Sequence, residues 1–325
     1  MFDQFVTNTQ FRENLSKREE TYVSEEFFNE LMKRAQNKSA LYGKVRTRTT
    51  TTDRIVQPAI NTTTRREVSI PTTGAPAQAS KVMWPKEIFQ QTSQVVMEDT
   101  FSQIFVPLTF RVLSVEVPED VLIKGDGYIY EYVLDAFSTE LAKAIDDHII
   151  TDKRNSILHS NSKSHMFDRA SEGIPTVSGH ILINEITAET MKLPIFHLPQ
   201  GYRERAVWLM NKNTAKVVAK IRDDEGNKIA KEISSEGLPR KVLNKSVIIV
   251  DSMPDIADRN IPIVLADLSR GYIVGRIQGG YMHITSDGFN GIAEIILKIS
   301  GSVLQPAAFK ALKFFNKITD DAEES

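Results

Sequence analysis

The sequence predicts a mixed α+β fold built around one long helix, and three observations carry that prediction. Residues 127–152 place Ile129, Val133, Phe137, Leu141, Ile145 and Ile149 at a four-residue step, with Glu131, Asp135, Glu140, Lys143, Asp146 and Asp147 between them. That is a helical period and not a strand period. Residues 104–118 alternate apolar and polar side chains before that helix, as a half-buried strand does. Residues 292–299 are apolar on both alternating faces, the pattern of a strand covered on two sides.

At about 1.5 Å per residue the helix is roughly 40 Å long, too long for a single neighbour to cover. Its stripe drifts about 40° per four-residue step, so the apolar face winds around the rod. Partners on changing sides are therefore expected, as for a beam that carries other elements along its length.

Composition limits the function classes. The chain has 325 residues, 41% hydrophobic and 25% charged, which is ordinary for a globular protein and long enough for two domains. It contains no cysteine, so disulfides, thiolate zinc sites, iron–sulfur clusters and cysteine nucleophiles are excluded. No signal-peptide core opens the chain, and no run approaches the roughly 18 apolar residues of a membrane span. Forty basic against 42 acidic residues give a net charge of −2, with no bulk affinity for nucleic acid in the totals.

In chain order, Ser24 is placed to cap a helix running to about Gln36, with Phe27, Phe28, Leu31 and Met32 on its apolar face. Lys33, Arg34, Lys38, Lys44, Arg46, Arg48, Arg54, Arg65 and Arg66 follow in a threonine-rich stretch with Asp53 the single acid. This reads as an extended arm that touches neighbouring protein or phosphate, against the plainer reading of a solvated basic flank. Residues 66–101 give two extended limbs around the small-residue tip TTGAPAQAS, a long hairpin that Pro71, Pro76 and Pro85 keep out of any sheet centre. Such a protrusion calls for a partner to cover it. In the strand 104–118 the apolar set moves by one residue after Leu113, as a β-bulge would cause.

Beyond the long helix, a polar serine-rich loop leads to a second module. It opens with a weak helical pattern at Ile183–Leu193, then a strand Ala206–Asn211 and a short helix that Asn213 is placed to cap. The run Asp223–Asn227 is a turn without the ligand spacing of a calcium loop. Residues 247–254, 261–277 and 281–287 then read as a β-meander with turns at Leu268–Gly271 and Gly279–Gly280. The buried strand Ile292–Ile299 is expected beside residues 104–117, under the long helix, which makes the first domain discontinuous and the second an insertion. The acidic tail DDAEES reads as disordered.

Motifs of catalysis are absent: no G-x-S-x-G, G-x-x-x-x-G-K-[ST], G-x-G-x-x-G or H-E-x-x-H occurs. The six histidines make no i,i+3 or i,i+4 pair, and His148 beside Asp146 and Asp147 fits a solvated helix face better than a metal site. No catalytic, metal or cofactor residue is assigned.

Three stretches resemble the major capsid proteins of tailed double-stranded DNA bacteriophages, whose fold is named after phage Hong Kong 97. AVWLMNKNTAKVVAKIRDDEGN is similar to the family's Trp-containing strand, Asn-Thr helix start and Asp-Gly turn; VIIVDSMP with IPIVLADLSRGYIVG to its paired strands; and KISGSVLQPAAFKAL to its C-terminal strand and Pro-Ala-Phe ending. Ala266 stands where many members have Gly. The resemblance implies a Hong Kong 97-type fold with an N-terminal arm (1–65), an extended loop (66–101), a peripheral domain (102–155 and 290–325, spine helix 127–152) and an axial domain (156–289). It implies a structural subunit, not an enzyme, that assembles through pentamers and hexamers into an icosahedral phage head around double-stranded DNA. Partners would be sister copies, a separate scaffolding protein, portal and head-completion proteins, and DNA held without sequence specificity, with assembly in the host cytoplasm. Expected intersubunit contacts are Arg46, Arg48, Arg54, Arg65, Arg66, Trp84 and Lys86. Some members seal the shell with lysine–asparagine isopeptide bonds; Lys81, Lys86, Asn290 and Glu294 are the residues available here, and no cross-linking is expected. Two other readings stay open: an encapsulin-like nanocompartment, and a soluble α/β hydrolase or nucleotide-binding enzyme.

Overall fold

The four-residue apolar step does produce one helix, Asp126–Thr151, 26 residues long in the computed structural model. That structure describes residues 21–22, 24–60, 67–70, 94–97, 101–118, 126–152, 155–158, 181–182, 186–286 and 291–315. Val133, Phe137, Leu141, Ile145 and Ile149 are all buried, and a second row, Leu134, Ser138, Ala142 and Ile150, is buried beside them. Two adjacent rows are what a drifting stripe requires, because the side that faces the protein changes along the rod.

The N-terminal helix Glu25–Lys38 covers one flank of this spine. Ser24 caps it by accepting from the Phe27 amide at 3.3 Å, and Phe27, Phe28, Leu31, Met32 and Ala35 are buried. Arg34 pairs with Glu131 at 2.8 Å and Lys38 with Asp135 at 2.5 Å across the helix–helix contact. The other flank is a sheet centred on the 13-residue strand Gly291–Val303. Phe110–Val117 runs antiparallel along one edge, Val117 opposite Gly291 and Phe110 opposite Lys298. Tyr272–Ile277 and Tyr281–Ser286 share the other edge, and Arg46–Thr50 adds a parallel strand outside Tyr272–Ile277.

A second six-stranded sheet runs Ala230–Ile233, Pro239–Val242, Lys245–Ile249, Val207–Met210, Ile263–Ala266, Phe309–Leu312. Its Trp208, Met210, Ile263 and Leu265 pack against the helices Ala188–His197 and Lys212–Val218. Leu209, Val264, Ala266 and Ala311 turn instead into the core under the spine. The two modules thus share a core through this sheet.

Several expectations need correction. The strand over 104–118 is two strands: Phe101–Pro107 pairs with Arg54–Ile60, Phe110–Val117 pairs with Gly291–Lys298, and the chain breaks at Leu108–Thr109. Register is continuous from Phe110 to Val117, so no bulge lies at Leu113. The phase change arises because Val106 and Leu108 face one cluster and Leu113, Val115 and Val117 another. Gly279–Gly280 is no hairpin turn. Four residues, Ile277–Gly280, stand opposite two, Leu297–Lys298, and the strand continues in the same direction. Gly280 is needed there because a Cβ would meet the Ile296 carbonyl oxygen at 2.6 Å. The strand 291–303 is buried on both faces only from Ile299 to Val303; before that, alternate residues are half-buried. The helix expected at Ile183–Leu193 is Ala188–His197, capped by Thr187, and the short helix Lys212–Val218 is capped by Asn211 and not Asn213. Asn211 Oδ1 accepts from the Thr214 amide at 2.7 Å while its amide is held by Met253 and Asp255.

The pairing also crosses the expected domain cuts. Tyr272–Ile277 and Tyr281–Ser286, placed in the axial part by sequence, belong to the sheet of Gly291–Val303, and Phe309–Leu312 completes the other sheet. The paired limbs of the hairpin begin at Arg54, twelve residues before position 66, with Glu67–Ile70 against Gln94–Met97 further out.

Candidate functional site

Among the described residues no cluster of chemically active side chains stands out, so the site to be built is a set of surfaces and the joints that aim them. Among the described residues, no group of three or more His, Asp or Glu is arranged to hold a metal ion. The buried side-chain oxygens without a hydrogen-bond partner, Thr214 Oγ1, Asp267 Oδ2 and the Tyr272 hydroxyl, belong to different elements, and each sits in packed core.

The first device is the two-stranded ribbon Arg54–Ile60 with Phe101–Pro107. Arg54 stands opposite Pro107 and Ile60 opposite Phe101, a full antiparallel ladder of seven pairs. Its base is seated in three ways. Ile55, Val106 and Leu108 pack with Ile273 and Leu304. The Leu108 amide donates to the Asp53 carbonyl at 2.9 Å, and Lys298 Nζ meets Asp53 Oδ1 at 2.6 Å. Ile55 also lies directly over Gly275, where a Cβ would approach its Cδ1 to 2.1 Å. Only glycine leaves room for the ribbon to enter there.

The arm is aimed by a second joint at its turn onto the sheet. Asp146, on the spine, accepts from Ser39 Oγ at 2.5 Å, from the Ala40 amide at 2.9 Å and from the Leu41 amide at 3.1 Å. Burial pushes its carboxyl above the usual aspartate range, against the pull of those three donors. From this clamp the chain runs into Arg46–Thr50, the sheet's edge strand. Arg276 fixes that edge: its Nε donates to Thr49 Oγ1 at 3.2 Å, and its guanidinium lies 5.7 Å over the Phe28 ring.

A third joint closes the spine against the long strand. The Gly301 amide donates to His148 Nε2 at 3.0 Å, and His148 Nδ1 lies 3.0 Å from Asp152 Oδ2. The Gly301 amide can only donate, so Nε2 accepts and the neutral ring carries its proton on Nδ1, toward Asp152, with the Arg111 guanidinium also 3.0 Å from Nδ1. Burial holds this imidazole below its ordinary range; the nearby Arg111 charge acts in the same direction and Asp152 opposes both.

Of the sequence-predicted contact residues, Arg46 and Arg48 are exposed on the edge strand, paired with this chain's own Ile273 and Gly275, and Arg54 opens the ribbon. Arg65, Arg66, Trp84 and Lys86 lie outside the described residues. So do Lys81 and Asn290 of the cross-linking set, while Glu294 accepts from Ser114 Oγ at 3.0 Å. Sequence reasoning missed Asp146, Arg276 and the His148–Asp152 pair as joints. Asp146 and His148 stand next to stripe positions 145 and 149, the one signal that marked them as half-buried.

Comparison with known proteins adds the following. A model of the phage capsid family matches residues 20–314. Among solved structures, the capsid of an empty GTA particle is 18% identical with a TM-score of 0.61, over 86% of this chain and 90% of that one. The capsid of a native GTA particle is 16% identical with a TM-score of 0.60, over 87% and 90%. A structure from Microbacterium phage Oxtober96 is 12% identical with a TM-score of 0.52, over 86% and 91%. At such identities the likeness is one of fold. No curated protein matches the sequence.

Proposed function

The chain belongs to the phage capsid family, and from that membership we propose how its surfaces build a shell. It is a structural major capsid protein with a Hong Kong 97-type fold, and not an enzyme. Copies assemble into a capsid. In our reading they do so as pentamers and hexamers, with the second sheet and its helices around the axes and the ribbon laid over a neighbouring copy. A ring of heterologous contacts repeats one interface around a rotation axis, so many modest contacts act together. A separate scaffolding protein, portal and head-completion proteins, and DNA bound without sequence specificity complete this reading, with assembly in the host cytoplasm before incorporation in the virion. Arg46, Arg48, Arg54, Arg65, Arg66, Trp84 and Lys86 are the proposed contact residues.

The observation that carries the reading is the ribbon. Among the described residues its seven ladder pairs form a sheet of two strands, seated at its root through Ile55 and Val106. A two-stranded ribbon is at best marginal in water without a surface to lie on. Electron microscopy of the expressed protein, alone and with its scaffolding protein, tests this. Closed shells are expected; a discrete small oligomer under both conditions would overturn it.

A further inference from the structure

The strand Phe110–Val117 ends its sheet: it pairs with Gly291–Lys298 on one side, and among the described residues no strand lies on the other. Two hydrogen bonds show which of its backbone groups face the open side. The Ile299 amide donates to the Thr109 carbonyl at 3.1 Å, so Thr109 and every second residue after it turn amide and carbonyl inward, toward the long strand. Phe110, Val112, Ser114 and Glu116 therefore turn theirs outward. The Tyr132 hydroxyl bears this out, since it reaches the outward Glu116 carbonyl at 3.2 Å. With Glu116 taken by the spine, the groups of Phe110, Val112 and Ser114 stay open, without a partner among the described residues.

The usual protections of an open edge are missing along this stretch. Pro107 and Pro118 stand on either side of it, the strand itself holds no proline or lysine, and its register has no bulge. Arg111 is engaged within the subunit by Asp152. Val112 is 57% exposed at the middle of the open set, and Ile296 beside it is half-buried, so an apolar row runs to the edge and stops there. The open set is symmetric about Val112, which makes it complementary to itself. An antiparallel copy centred there sets Val112 opposite Val112 and Phe110 opposite Ser114, and each pair exchanges both bonds. The apolar row then continues through Val112 and Ile296 of the second copy. Glu116 falls outside this pairing, so Tyr132 keeps its acceptor; a centre moved toward Ser114 would draw on the carbonyl that Tyr132 holds.

We propose that two copies of this chain join at that edge, Phe110–Ser114 of one antiparallel to Phe110–Ser114 of the other about a two-fold axis through Val112, so that the sheet under the spine continues across the seam. The inference rests on the reading that copies assemble into a shell, and it names one surface by which they do. Contacts around a ring axis are heterologous, whereas this one is isologous and joins one ring to the next. It uses a different strand from the ribbon.

Because the chain has no cysteine, single thiols read the seam directly in assembled particles. Across the proposed axis the two Val112 Cα atoms stand about 5.5 Å apart, within disulfide reach. The two Ser114 Cα atoms stand roughly 14 Å apart, beyond it. Under mild oxidation Val112→Cys is expected to give a dimer band on a non-reducing gel, and Ser114→Cys monomer only. Val112→Pro is the second variant. Its lost amide is not used in the subunit's own ladder, so the fold accepts proline there while the seam does not. Subunits should stay folded by circular dichroism and give about tenfold fewer closed shells by electron microscopy, because every shell needs many such seams. A dimer from Ser114→Cys in place of Val112→Cys, no dimer from either, or full shell yield from folded Val112→Pro would each overturn the proposal. Should Val112→Pro not fold, the thiol pair decides alone. Loss of the seam with shells still formed by the unaltered chain leaves the capsid role standing. An unaltered chain that forms no shells sinks that role instead, and the thiol pair is then read in concentrated subunits.

Discussion

Between the spine layer and the ribbon, the difference is where the covering side chains come from. The spine helix buries two rows against the N-terminal helix on one flank and strands from residues 110–117 and 291–303 on another. Every part of that cover is supplied by the same chain. The ribbon has an equally regular hydrogen-bond ladder, and among the described side chains its apolar support is the cluster of Ile55, Val106, Leu108, Ile273 and Leu304 at its root. Backbone pairing alone contributes little net stability, because water satisfies the same groups in the unfolded chain. A two-stranded ribbon seated at its root takes its direction from this chain, which suits the proposed contact with a second copy.

The comparison breaks most visibly at Phe137, fully buried in the middle of the spine. Phe137→Ala is expected to cost about 3–5 kcal/mol, read by denaturant unfolding of the unassembled subunit, and shells should vanish because folded subunits do. A loss under about 1 kcal/mol would mean that the spine is not the load-carrying core. On the ribbon side the matching change is Gly275→Ala, whose new methyl meets Ile55 Cδ1 at 2.1 Å and Leu108 Cδ2 at 3.0 Å. It should cost about 1–3 kcal/mol, leaving the subunit folded by circular dichroism, yet the tilted ribbon should lower the yield of closed shells sharply. Normal shells from folded Gly275→Ala subunits would remove the ribbon from the assembly reading.

What could be read from the sequence follows the same line. The spine was legible because burial by the chain's own elements writes a period into the residues: Val133, Phe137, Leu141, Ile145 and Ile149 are all where the pattern put them. The Ser24 cap and the pairing of residues 292–298 with 110–116 were legible for similar reasons. The break at Leu108–Thr109 was not, since two strands facing different clusters mimic one bulged strand. Gly279–Gly280 looked like a hairpin turn because glycine marks turns and bulges alike; only the register distinguishes them. Sheet membership was not legible for strands such as Phe309–Leu312, which joins the second sheet beside Ile263–Ala266, because a β-strand's period does not name its partner. Asp146 and His148 act as joints through contacts more than a hundred positions away in the chain, which no local spacing encodes.

The smallest expected effect concerns the third joint and separates the two regions once more. Neutral His148 accepts the Gly301 amide, and protonation would set an N–H against an N–H. With its pKa held low by burial, His148 contributes stability that is fully present above the ordinary histidine pKa of about 6.5 and is lost as pH falls through the range below it. One group limits the slope to about 1.4 kcal/mol per pH unit. Asp146 works in the opposite sense, since its raised pKa adds stability as the pH falls and loses it as the pH rises. Comparison with His148→Gln, which cannot charge, isolates the histidine. Between about pH 8 and 5.5 the parent subunit should lose stability relative to its own value at pH 8, and the variant should show a flatter curve. Amide exchange locates the loss: the Gly301 amide should lose protection as the pH falls, after correction for the intrinsic exchange rate, while the ladder of Arg54–Ile60 with Phe101–Pro107 should not respond. Parallel pH curves for parent and variant would show that the joint holds whether or not the ring is charged.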